Sequence, residues 1–359
     1  MRTLCLTLTL YCLWGLGFGQ TTHDTATDLV ISTAGQSDER AEKVLSLQGS
    51  EDRRDLLQRD IDFPELPIEP DSTRYFANAK YDWILTLEPK PGQQFERQAV
   101  FNAFDRDWSK EQLYPTIYAK PANSANWTYF HASDNQAEHF DKIAIAWKLF
   151  DSLDEPPIVY DEARLTQFEN TVRSRMKKLK VERLRSNCTV KEAATHSNRL
   201  SRFITENNQW AIIVLQADKN FEGTDLWDVM QSVGLRWGDM DLFHWDNEQR
   251  GFGDDYVFSV WTSTAPGYFF PEEIAAGRVQ VVDLIFGFSI PRTVAPEGVF
   301  EVMHKVTQYA QKRLGGRLLD GNGNPLEPET ELARISAIAE KLETAGLQNG
   351  IGDALYLFQ

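Results

Sequence analysis

Gly234-Leu235-Arg236-Trp237-Gly238-Asp239-Met240-Asp241-Leu242-Phe243-His244 opens the stretch that decides the fold, and further pieces follow at short intervals. Tyr256-Val257-Phe258-Ser259-Val260-Trp261 reads as a strand and runs into Ala265-Pro266-Gly267-Tyr268-Phe269. Val279 to Ile290 reads as a long strand ending at Pro291. Val299 to Leu314 has helical periodicity and stops at Gly315-Gly316. Arg317 to Leu319 is a short strand before the turn Asp320-Gly321-Asn322-Gly323-Asn324-Pro325, and Glu329 to Ala345 makes a last helix. Strands of half-buried alternation with interspersed helices predict an α+β fold, a mostly antiparallel sheet with helices on one face.

Just upstream, Trp210-Ala211-Ile212-Ile213-Val214-Leu215 reads as a strand, followed by Asn220-Phe221-Glu222-Gly223, a helix through Leu226, Val229 and Met230, and a strand from Asp239 to Trp245. The same order occurs earlier. Tyr81 to Leu87 is a strand, Gln93 to Trp108 an amphipathic helix carrying Phe95, Val100, Phe101 and Phe104, and Thr116 to Ala119 and Trp127 to His131 further strands. Aligning Trp83-Ile84-Leu85 with Trp210-Ala211-Ile212 also matches Gln94-Phe95-Glu96 with Asn220-Phe221-Glu222. The expectation is a divergent internal duplication, with a first repeat over 75–160 and a second domain over 207–359.

Residues 161–206 read as a helical connector, Asp161 to about Arg185 and then Val190 to Thr205. Its first part turns basic at Arg173, Arg175, Lys177, Lys178, Lys180, Arg183 and Arg185. That run suits either a patch for anionic lipid or an acidic partner, or a solvated face offsetting an acidic chain.

Residues 21–74 are mostly charged or small and polar, ending in Phe63-Pro64-Glu65-Leu66-Pro67-Ile68-Glu69-Pro70. Such a composition predicts an acidic flexible tether, since it buries too little apolar surface to offset ordering entropy. Residues 1–20 carry Arg2 and then an apolar run from Leu4 to Phe18. They read as a signal peptide or a membrane anchor. The run is short for a span that wants about 20 residues, and the charges favour the amino end staying inside. A retained segment places the chain at a bacterial inner membrane; a cleaved one makes it periplasmic or secreted.

The chain has 359 residues, a formal charge of −16 and 42% hydrophobic residues, enough for at least one sizeable core and too acidic for a whole-surface nucleic-acid footprint. Of three cysteines, Cys5 and Cys12 lie in the apolar first segment, which leaves Cys188 with no partner for a disulfide or a zinc site.

Taken together, the run from about Gln209 to Leu342 resembles the carboxyl-terminal domain of the ZipA family, bacterial division proteins that bind FtsZ. The resemblance rests on Gly-x-x-x-Gly-Asp-Met-x-Leu-Phe-His at 234–244, Phe-Ser-x-Trp at 258–261, the following Pro-Gly-x-Phe and the Gly-Gly-x-x-Leu-Asp close. It implies a shallow apolar groove on one sheet face that takes up the FtsZ carboxyl-terminal tail. The matching positions are Ala211, Ile213, Met240, Leu242, Ser263 and Gly287, with Trp261 and Phe286 also expected to line the groove. Ser263 and Gly287 stand where the family tends to place bulky Met or Phe, so apolar contact is lost there or refilled by a neighbouring aromatic.

No catalytic, cofactor or metal site is expected. His244 with Asp239, Asp241 and Asp246 does not converge on a strand, where alternate residues face opposite ways. Asp320, Asn322 and Asn324 with Glu331 mimic a calcium loop, but Pro325 sits where Gly would make the sharp turn. No phosphate loop, Gly-x-Ser-x-Gly or Cys/His pair at catalytic spacing occurs. The expected function is FtsZ-tail binding in septal ring assembly at the membrane, without enzymatic activity. The alternative is an exported protein using the same fold for another protein, peptide or small ligand.

Overall fold

The computed structural model describes residues 76–150, 159–247 and 252–358. The expected signal or anchor segment and the tether lie outside the described residues.

The first unit begins with β1 (Asp82–Pro89), then β2 (Phe95–Glu96), α1 (Arg97–Ala103), α2 (Arg106–Glu111), β3 (Thr116–Pro121), β4 (Thr128–Tyr129) and β5 (His139–Lys148). It is completed by α3 (Glu162–Met176) and β6 (Val181–Ser186), and α4 (Val190–Asn207) leads onward. Every pairing is antiparallel and the sheet order is β4-β3-β5-β1-β6, with β2 beside β5.

Two sequence expectations change here. The helix expected over Gln93 to Trp108 is a short strand and two helices: Phe95 pairs with Phe140, and Asp105 starts α2 by accepting the Trp108 N–H at 2.8 Å. A side-chain acceptor at an N-cap favours a fresh helix start over continuation. The basic part of the expected connector is likewise not all helix. Its second half is β6, an edge strand on β1, because Val181, Leu184 and the Glu88–Arg183 register find partners in the sheet.

The second unit runs β7 (Trp210–Glu222), α5 (Gly223–Ser232), β8 (Arg236–Trp237), β9 (Phe243–Asp246), β10 (Tyr256–Trp261), α6 (Pro271–Ala275), β11 (Gln280–Ser289), α7 (Pro296–Leu314), β12 (Arg317–Asp320), α8 (Pro328–Thr344) and α9 (Asp353–Leu357). Its sheet is again antiparallel, in the order β12-β7-β11-β10-β9-β8. The strand expected over Asp239 to Trp245 begins only at Phe243. Before it, residues 239–241 form a single tight turn with Met240 and Asp241 at positive φ.

In both units the first strand lies between the last strand and the next-to-last, so β6-β1-β5-β3 and β12-β7-β11-β10 share one order, that of a split β-α-β motif. They differ at the far edge, where the first unit adds β4 after β3 and the second adds β8 and β9 before β10. Shared connectivity is not by itself descent, and the duplication stays an inference from sequence.

Strand alternation sets the layers. In the first unit Trp83, Leu85 and Leu87 face the helices with Ile143, Ile145 and Trp147, and Phe168 of α3 stacks on Trp147 at 5.2 Å. The opposite face, with Ile84, Tyr118, Ala144 and Ala146, is covered by Phe76 and Ala77 of the same chain and by Trp127. Phe76 lies 4.4 Å from the Trp127 ring and 5.5 Å from that of Tyr118. In the second unit Ala211, Ile213 and Leu215 of β7 and Leu284, Phe286 and Phe288 of β11 are buried in the core cluster that includes α5 and α7.

The carboxyl terminus clasps the two units together. Tyr356 in α9 donates its hydroxyl proton to Asp82 Oδ1 at 2.8 Å, and Asp353 accepts from the Tyr81 hydroxyl at 2.9 Å and Lys80 Nζ at 3.0 Å. Arg292 in turn holds the Leu355 and Phe358 carbonyls and the Asp254 carboxylate.

Candidate functional site: the helix-free face of the second sheet

Register places four apolar side chains in one straight row across the helix-free face. Leu319 is opposite Val214, Val214 opposite Ile285, and Ile285 opposite Trp261. All four are half-buried. The next row holds Ile212 opposite Gly287, Gly287 opposite Ser259 and Ser259 opposite His244. Trp210, 44% exposed, closes the end of β7 edge-on to Trp261 at 6.1 Å.

Gly287 shapes the floor. A Cβ placed there would lie 2.7 Å from Trp261 Cη2, so the indole lies across the bare backbone of the glycine. The Trp261 ring thus takes the space that a side chain at 287 would occupy. Trp261 Nε1 is buried with no acceptor among the described residues, an unsatisfied donor within the candidate surface.

The polar end of the face is built around His244. Its Nε2 meets the Asp239 carbonyl at 2.7 Å and its Nδ1 the Ser259 hydroxyl at 2.8 Å, while Tyr256 stacks on the ring at 3.8 Å. These contacts hold the 239–241 turn onto the sheet. Burial, then the charges of Asp239, Asp246 and Asp255, push the Tyr256 phenol above its ordinary value, so this end is acidic. Asp283 of β11 ties that strand to the loop after β10, accepting from the Thr262 hydroxyl at 3.0 Å and from Ser263 N–H at 2.7 Å and Oγ at 2.5 Å.

Of the groove residues expected from sequence, Trp261 and Gly287 are on this face. Ala211, Ile213 and Phe286 are not: they are 0% exposed and face the core, because the true open parity is that of Ile212, Val214 and Ile285. Met240 and Leu242 lie in or just after the turn at the β8–β9 edge, Met240 51% exposed and Leu242 half-buried. Ser263 is exposed in the loop after β10, its hydroxyl committed to Asp283. Trp210, Ile212, Val214, Ile285 and Leu319, which are not among the residues expected from sequence, also lie on this face. The period-2 signal was present, but both parities of β7 are apolar, so alternation alone could not choose the face.

The geometry is that of an open apolar shelf about one strand-row deep, suited to an extended or helical peptide with apolar anchors. Residues 209–336 match the family model described as ZipA, C-terminal FtsZ-binding domain. The second unit is a divergent ZipA carboxyl-terminal domain. Among curated relatives, "Cell division protein ZipA" of Vibrio cholerae serotype O1 is 32% identical over 123 residues, 34% of this chain and 40% of that protein. The ZipA of Pseudomonas putida is 29% identical over 139 residues (38% and 46%), and that of Marinobacter nauticus 28% over 118 residues (33% and 34%). The chain thus spans less than half the length of the curated relatives it matches. The ZipA match ends inside α8, so the α9 clasp and the whole first unit lie beyond it.

Among the described residues no group of three or more His, Cys, Asp and Glu side chains is placed to hold a metal ion. The Asp320 carboxylate instead accepts the Asn322 and Asn324 backbone N–H groups at 2.9 and 2.8 Å, forming the turn after β12. Cys188 is free and half-buried, and burial first, then Glu192, push its thiol pKa up, away from reactivity. No helix of the described residues is long and apolar enough to cross a membrane.

Proposed function

We propose that the chain is a cell division protein of the ZipA type that binds the carboxyl-terminal tail of FtsZ on the helix-free face of its second sheet, contributing to septal ring assembly while its first twenty residues direct it to the membrane. The observation that carries the reading is the in-register apolar row Leu319, Val214, Ile285 and Trp261 on a face no helix covers, in a domain of this family. An apolar tail laid along that row would bury a few side chains in the manner of binding hot spots, each worth about 2 kcal/mol or more. Here Gly287 and Trp261 act as a pair, the indole supplying the apolar surface that a bulky residue at 287 would give.

The test uses the full chain, because α9 packs on the first unit. An FtsZ tail peptide titrated into it is expected to bind with micromolar affinity, and Val214→Asp with Ile285→Asp to abolish binding without loss of fold. No binding at high micromolar peptide overturns the FtsZ assignment. The apolar first twenty residues favour a second reading, an exported protein using this face for an envelope partner. A topology reporter after Gln359 that reads outside would select it over the first.

A further inference from the structure

We propose that the cationic corner of the first unit, formed by the α3–β6 turn and the adjoining end of the helix-free sheet face, is a docking surface for an anionic lipid bilayer. Lys177, Lys178 and Lys180 are exposed in the turn, and Arg183 and Arg185 on edge strand β6. Register carries the charge inward: Arg183 is opposite Glu88 on β1, Glu88 is salt-bridged to Lys142 of β5 at 2.9 Å, and Lys142 is opposite Lys120 of β3.

Glu88 of β1 and Glu182 of β6 lie among these cations, and Asp141, beside Lys142 on β5, accepts from Gln94 Nε2 and the Asn123 N–H. Glu88 is shared between Lys142 and Arg185, the latter at 3.4 Å, and these cations hold its carboxyl below the usual range. Lys120, Lys177, Lys178, Lys180 and Arg183 have no ion-pair partner among the described residues. By contrast Arg173 and Arg175, in the preceding helix, are paired with Glu169 and Asp105. A chain of net charge −16 that leaves five cations uncompensated on one corner offers that corner to a negative surface.

A bilayer rather than an acidic polypeptide is the occupant favoured by where the chain leaves the structure. The seventy-five residues before Phe76 begin with the apolar segment, and Phe76 itself lies on Tyr118 and Trp127. Tyr118 is in register with Ala144, and Ala144 with Thr86 beside Arg185, so the exit point and the cationic row share one sheet face. The chain therefore departs toward its membrane-directing end from the face that carries the cations. Clustered lysines and arginines near a surface of anionic lipid attract additively and within a Debye length, about 8 Å at physiological salt. The inference rests on the membrane-directing reading of residues 1–20 and not on FtsZ binding.

The test mixes full chain with vesicles of phosphatidylcholine alone or with added phosphatidylglycerol and reads sedimentation. The neutral vesicles report what the first segment contributes, and the difference between compositions reports the corner. Wild-type chain is expected to bind the anionic vesicles several-fold more, an excess lost in 0.5 M salt by screening, where the Debye length is about 4 Å. Lys177→Glu, Lys178→Glu, Lys180→Glu and Arg183→Glu combined should fall to the neutral level. A urea midpoint equal to wild type, measured on the same variant, shows that it is folded. Equal binding to the two compositions overturns the proposal, as does a variant that keeps the anionic excess. Soluble polyglutamate that binds the wild-type corner when anionic vesicles do not overturns it in favour of an acidic polypeptide.

Discussion

Gly287 and Trp261 occupy one space: a Cβ at 287 would stand 2.7 Å from the indole Cη2 and 3.3 Å from the Ala211 carbonyl oxygen. The neighbouring backbone cannot yield cheaply, so any side chain at 287 must turn the indole out of the floor. Gly287→Ala is therefore expected to red-shift tryptophan emission and to weaken tail-peptide binding by about tenfold, roughly 1.4 kcal/mol. Isothermal titration with wild-type and variant chains checks it, and unchanged affinity would separate the indole from the binding surface.

Ile213 and Val214 are neighbours with opposite duties. Ile213, 0% exposed, faces the helices, and Ile213→Ala should cost about 2–5 kcal/mol of stability. Val214 sits between Leu319 and Ile285 on the open face, so Val214→Asp should leave the urea midpoint nearly unchanged while removing peptide binding. Swapped outcomes for the two variants would mean that the partner binds the other side of the sheet.

Asp82 makes the first unit sensitive to acid in an unusual sense. Burial raises its carboxyl pKa from 3.8 to about 6, against the pull of Tyr356, the Asn78 N–H and Lys148. The folded state therefore binds this proton more tightly than the unfolded state does. Its contribution to stability is fully present below about pH 4 and is lost as pH rises through about 6, at an order-of-magnitude cost of about 3 kcal/mol by neutral pH. Asp82→Asn should remove that component, so the wild-type-minus-variant difference in urea midpoint should fall between pH 4 and pH 6.5. A difference that is flat across this window would show the carboxyl to be solvated.

Tyr356 supplies one of the donors to that buried carboxylate from the far end of the chain. Tyr356→Phe leaves the ring packing on Phe150 but deletes the donor, and should cost about 1–3 kcal/mol. Hydrogen exchange should report faster opening at Tyr81 to Trp83 than at Leu215, which lies in the other unit. Protection unchanged at both sites would mean that α9 does not couple the units.

Much of the architecture was legible in sequence because turn and cap signals are local. Gly315-Gly316 ends α7 and Pro291 ends β11 as their chemistry dictates. The same locality failed at Asp105, whose side chain starts a new helix inside what periodicity read as one, and at Asp239 to Asp241, where contacts to His244 hold a left-handed turn in place of a strand. It failed again at β6: a charged stretch with few apolar residues reads as solvated helix until its edge pairing with β1 gives the backbone its partners.

By itself the sequence determined the order of the main strands and helices from Trp210 to Ala345, the antiparallel α+β class, the kinship of residues 209–336 and the accumulation of positive charge at 173–185. Only the tertiary structure decided which face of the second sheet is open. Ala211-Ile212-Ile213-Val214-Leu215 is apolar at both parities, so hydrophobicity cannot say which set meets the helices. That choice is made by α7 packing on one side of β7, which buries Ile213 and leaves Val214 half-buried on the open face.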